Sequence, residues 1–89
     1  MAGPVYVRAR QLMEAELGDE LVTLDPAAGK CFGFNDAATW VWKRLAEPRS
    51  FEELRDGLLS EYDVSDPECT NDLRDLLDDL IAKRLIASR

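Results

Sequence analysis

Apolar and polar residues change rhythm partway along the chain. Before Asn35 they alternate, and after it they recur at helical spacing. In Gln11–Leu17 Met13, Ala15 and Leu17 fall on one side and Glu14 and Glu16 on the other, the mark of a strand with one wet face. Gly18-Asp19 supplies a two-residue hairpin turn, Glu20–Asp25 the returning strand, and Asp25–Gly29, with Pro26 near its start, a second turn. Lys30–Phe34 completes a three-stranded antiparallel meander. Its middle strand is paired on both sides, so Lys30–Phe34 keeps a free backbone edge with one lysine and no proline to blunt it. Val5–Arg10 alternates apolar and basic residues and reads as an edge strand or an extended arm, with residues 1–12 an arm outside the domain proper, 13–89.

The chain pivots on Lys30–Leu45, where strand passes into helix with almost no loop. Asp36 is the expected N-cap, and Ala38, Val41, Trp42 and Leu45 form one helical face. Two residues correspond to about 200° of helix, so Trp40 cannot share that face and is a candidate partner contact. A capping box, Ser50-x-x-Glu53, opens a second helix with Phe51, Leu54, Leu58 and Tyr62 inward and Gly57 a weak point. Asp63–Asp66 ends it. A third helix runs from Pro67 or Thr70 to Lys83 with Leu73, Leu76, Leu77 and Leu80 inward, and Leu85-Ile86 closes the core as an extended tail. Asp72, Asp79 and Lys83 follow one border of its leucine stripe, Arg74 and Ile81 the other. The fold class is α+β: an N-terminal three-stranded antiparallel sheet followed by three helices, winged helix-turn-helix-like.

Composition narrows the function. Eighty-nine residues, 46% hydrophobic and 33% charged, make one small domain with a modest core. Apolar runs reach only three residues, against the roughly 20 that span a bilayer. No secretory pattern opens the sequence, and Cys31 and Cys69 have neither metal-site nor CxxC spacing, so a cytoplasmic protein with free thiols is expected. A net charge of −7 opposes nucleic acid and anionic membrane. Without histidine the usual general base and the commonest zinc ligand are missing, and there is no phosphate loop or nucleophile elbow. Neither catalysis nor a cofactor or metal is expected. Cys31 and Cys69 read as structural thiols, and Asp72, Asp75, Asp78 and Asp79 as a solvated face that borders an apolar stripe.

Several segments together carry a resemblance. Phe32-Gly33-Phe34-Asn35 is followed by Trp42 seven positions after the Asn. Phe51-Glu52-Glu53-Leu54, the break Tyr62-Asp63-Val64, the leucine helix Asp72–Leu80 and the closing Leu85-Ile86 come next. From Met13 to Ile86 the chain resembles the PqqD-like family, the RiPP recognition elements of ribosomally made and modified peptides. It departs from that pattern at Arg84, where the family often has Gly, and at Phe34, where Leu is usual. The resemblance implies a protein that binds the leader of a precursor peptide by β-augmentation and presents it to a maturation enzyme, a leader peptidase or a radical enzyme. It places the peptide against Lys30, Cys31, Phe32, Gly33 and Phe34, beside Asp72, Asp75, Leu76, Asp79 and Lys83 of the third helix. A free-standing form points to a lasso peptide pathway, with the quinone-cofactor pathway as the nearest variant. A winged-helix DNA-binding regulator or a structural interaction module is the alternative.

Overall fold

A computed structural model describes residues 3–10, 12–18 and 20–89. In chain order the elements are β1 (Val5–Arg8), β2 (Met13–Leu17), β3 (Glu20–Asp25), β4 (Lys30–Phe34), α1 (Asp36–Arg44), β5 (Arg49–Ser50), α2 (Phe51–Glu61), α3 (Asp66–Ala82) and β6 (Ile86–Ser88). Strands β2-β3-β4 form the expected antiparallel meander, with Leu21 opposite Phe34 and Glu16. The turn between β2 and β3 includes Asp19, which lies outside the described residues.

The first segment departs from expectation. Val5–Arg8 is neither an arm nor an edge strand: it is the middle of a second antiparallel sheet, β5-β1-β6. Its pairing partners come from the α1–α2 connection and the C-terminus, too distant in sequence for local periodicity to announce. The expected tail after α3 is therefore a strand that clasps the N-terminal segment, with Val5 and Arg89 exchanging backbone hydrogen bonds of 3.2 and 2.7 Å.

The helix ends show how local chemistry sets boundaries. Asn35, not Asp36, caps α1: its backbone is extended and its Oδ1 accepts from the Ala38 N–H at 2.9 Å. Asp36 then sits in the first turn, where its charge suits the helix dipole. Ser50 and Glu53 form the expected capping box on α2, and Ser65 caps α3, with Pro67 in its first turn. At the far end of α3, Arg84 N–H donates to Ile81 C=O at 2.9 Å and Leu85 N–H to Leu80 C=O at 3.0 Å. This is a Schellman motif, and it requires a left-handed residue, here Arg84 at φ 60°. The helix thus stops at the expected place without the glycine that would do so at least cost.

Trp42, Val41, Leu45, Leu54, Leu73, Leu77, Leu80, Leu85 and Ile86 build the core, joined from the sheet by Leu21 and Phe34. Phe34 and Trp42 meet at 5.6 Å between centroids. Tyr62 does not belong to the inward stripe of α2: it is the C-cap, in extended conformation, and 36% exposed. Leu76 and Phe51 are half-buried. Gly57 is a cradle and no weakness, because a Cβ there would lie 2.3 Å from the Trp40 ring. Trp40 therefore spends its face on α2, with the Arg44 guanidinium 4.6 Å from its ring centroid.

The larger sheet turns its sides against expectation. Leu21, Thr23 and Asp25 are buried, and the β2 partners of Leu21 and Thr23 are Glu16 and Glu14. The glutamates consequently face α1: Glu14 accepts from Trp42 Nε1–H at 3.3 Å and lies 3.5 Å from Arg8, while Glu16 pairs with Lys43. The hydrogen bond from Lys43 holds the Glu16 carboxyl below the usual range. Met13, Ala15 and Leu17 are left facing outward and exposed. The buried indole N–H of Trp42 finds its acceptor in Glu14 on that side, to which the exposed Lys43–Glu16 pair adds little.

Candidate functional site

Strand β4 offers one backbone edge to β3, and among the described residues no strand pairs with the other. Lys30, Cys31 and Gly33 are exposed and Phe32 is half-buried, while Phe34 is in the core and can contribute only its backbone to an added strand. Cys31 and Phe32 point to opposite faces, as alternation requires. A Thr23 hydroxyl donates to the Phe32 C=O at 3.3 Å, tying β4 to β3. Asp25 braces the following turn: it accepts from the N–H groups of Ala27 and Ala28 at 3.1 and 3.3 Å and from Arg10. Burial raises the pKa of Asp25, but the hydrogen bond from Ala28, the Arg10 pair and that from Ala27 together outweigh it and leave the group below its ordinary value.

Where β4 ends, a cavity of about 330 Å³ opens between the start of α1 and α3. Asn35 and Ala37 form one wall, Asp72, Leu73, Leu76 and Cys69 the other, with Leu58, Tyr62 and Val64 closing the α2 side. The volume lies within the range of about 300–1,000 Å³ typical of ligand pockets, and most of its lining is apolar. The Asp72 border of α3 is therefore the one that faces Asn35 and Ala37, just after β4. The opposite border leans on α2, where the Arg74 guanidinium stands 5.7 Å from the Phe51 centroid.

Of the expected site residues, Asp72 and Leu76 line this cavity; Asp75, Asp79 and Lys83 do not. Asp79 instead pairs with Lys83 at 2.9 Å on the helix surface. Asp72 has no ion-pair partner among the described residues. Cys69 is buried in the wall of the cavity, and burial, then Asp66 and Asp72, push its thiol up. Sequence reading missed Asn35, Ala37, Tyr62 and Val64 as walls. The signal available was Tyr62 and Val64 themselves, two apolar residues in an otherwise polar turn, now 36% and 40% exposed. Among the described residues there is no cluster of groups that could hold a metal ion and no helix long and apolar enough to cross a membrane.

Residues 20–86 match the family model described as Coenzyme PQQ synthesis protein D (PqqD). Among solved structures the chain is similar to TbiB1, determined in complex with the TbiA(beta) leader peptide. Identity is 32%, the match covers 90% of this chain and 93% of that one, and the TM-score is 0.79. No curated protein matches at a significant level.

Proposed function

The chain belongs to the PqqD family, and on that premise we propose that it binds the leader segment of a ribosomally made precursor peptide and delivers it to a maturation enzyme. The observation that carries this reading is the free β4 edge ending at an apolar cavity. An edge alone is insufficient. At about 1 kcal/mol net per hydrogen bond, four or five backbone bonds fall short of the roughly −8 kcal/mol of micromolar binding. One apolar side chain buried in the cavity adds about 1.5–3 kcal/mol and supplies sequence preference. The leader therefore pairs with Lys30–Phe34 as an antiparallel strand and seats an apolar or aromatic residue among Ala37, Tyr62 and Leu76. The protein is a presenting partner and no enzyme, and the lasso peptide pathways, with a peptidase as recipient, fit its likeness to TbiB1.

DNA binding is disfavoured by the same helix. A reader of phosphates needs Lys or Arg, whereas α3 carries Asp72, Asp75, Asp78 and Asp79.

The test uses a synthetic leader peptide, with the TbiA(beta) leader that TbiB1 binds as the first probe. Hydrogen–deuterium exchange with saturating leader should protect amides of Lys30–Phe34 and leave β2 unchanged. Gly33→Pro, with folding checked by circular dichroism, should weaken binding about tenfold or more. Protection confined to β2 or to the outer turns of α3 would defeat the proposal.

A further inference from the structure

We infer that the outward face of the β2-β3-β4 sheet is the surface on which the maturation enzyme docks, an inference that rests on the leader-binding reading above. Register places Met13, Leu24 and Cys31 in one row, Ala15, Val22 and Gly33 in the next, and Leu17 with Glu20 at the end. Met13 is 62% and Leu17 66% exposed, and every β2 residue is exposed. No described residue covers these side chains, although the sheet's other face holds the core. A contiguous apolar patch of this kind, though small, is often a contact surface.

Two arguments select the occupant. The first is continuity. A strand added to β4 extends this same sheet, and its alternate side chains emerge beside Cys31 and Gly33 on the same face. Whatever docks there meets sheet and peptide as one surface, which an enzyme acting on that peptide requires. The second is size. Three strands about 4.8 Å apart and rows about 6.8 Å apart give a face of roughly 10 by 14 Å. That is far below the ~800 Å² per partner of a stable interface, so it does not sustain a dimer of this chain. It suffices for the enzyme, because the peptide joins the two proteins and makes the second contact intramolecular. Glu20 at the rim and a net charge of −7 call for an apolar patch edged by Lys or Arg on the enzyme.

The test is Met13→Gln with Leu17→Gln, which keeps net charge and alters only exposed side chains. Leader affinity, read by fluorescence anisotropy, should stay within about twofold, while affinity of the leader-loaded chain for a purified leader peptidase falls about tenfold or more. Processing of the full precursor should slow in step. Unchanged enzyme affinity in the double variant overturns the inference and leaves leader binding standing. Absence of leader binding by the unaltered chain instead defeats the reading beneath it. Sedimentation showing a dimer that the double variant dissolves assigns the face to a second copy and also overturns the inference.

Discussion

The two outer strands of the larger sheet are alike in position and unlike in use. Both β2 and β4 pair with β3 on one edge, and among the described residues no strand pairs with the other. Under β2 the space toward α1 is taken by Glu14, Glu16, Arg8, Trp42 and Lys43 in a polar network. Beside the end of β4 the space toward α3 is an apolar cavity. A backbone edge becomes a selective site only where side chains of a guest can be buried. The edge of β4 has that opportunity and the edge of β2 does not, which leaves β2 its outward apolar residues as the remaining resource.

The strongest way to break this contrast is to fill the cavity with charge. Leu76→Glu should weaken leader binding by about 3 kcal/mol, near two orders of magnitude, because a carboxylate would face the guest's apolar anchor. Met13→Glu on the other strand should leave that affinity within about twofold. Equal losses in anisotropy titrations would mean the cavity has no special part.

Next comes the network that closes the β2 side. Arg8 donates to the Trp42 C=O at 3.2 and 2.6 Å and its guanidinium lies 4.3 Å from the indole centroid. Arg8→Ala should cost about 1–2 kcal/mol in urea unfolding, by leaving the Trp42 carbonyl only its bond from the Leu45 N–H and removing a cation–π contact. A change below a few tenths of that would show the network to be ornamental.

The acidic border of α3 sharpens the comparison by kinetics. Asp72 is at the cavity and Asp79 is already neutralised by Lys83. For a leader carrying Lys or Arg, Asp72→Asn should slow association several-fold and Asp79→Asn should barely alter it, each exposed pair being worth about 0.2–1 kcal/mol. Faster dissociation in stopped-flow traces of Asp72→Asn would instead make that carboxylate a desolvated partner.

A smaller effect concerns the brace of the β3–β4 turn. Because the folded Asp25 carboxyl lies below its ordinary value of 3.8, it stabilises above that pH, and the contribution disappears as pH falls through the folded value. The urea midpoint should therefore drop on acidification below about pH 4, and less steeply in Asp25→Asn. The least change is expected from Arg84→Gly, which relieves a left-handed residue at the end of α3. It should raise stability by at most about 1 kcal/mol and leave leader binding untouched, and thermal unfolding measures it.

Local patterning determined most of the elements. The capping box at Ser50, the period of Leu73, Leu77 and Leu80, and the turn residues after Asp25 each specify structure through neighbours within one helical turn or hairpin. The free edge at Lys30–Phe34 was legible for the same reason, as meander order follows from short connections. Contacts between distant segments were not. That Val5–Arg8 joins Arg49–Ser50 and Ile86–Ser88, that Gly57 receives Trp40, and that Glu14 and Glu16 rather than Met13 and Leu17 face the helix depended on what stood opposite in space. Alternation says that two sides of a strand differ, but only the groups on the facing element decide which side is turned inward. The cavity is of the same kind. Asn35, Tyr62 and Asp72 belong to three separate stretches, and a site between them exists only once α3 is laid against the start of α1.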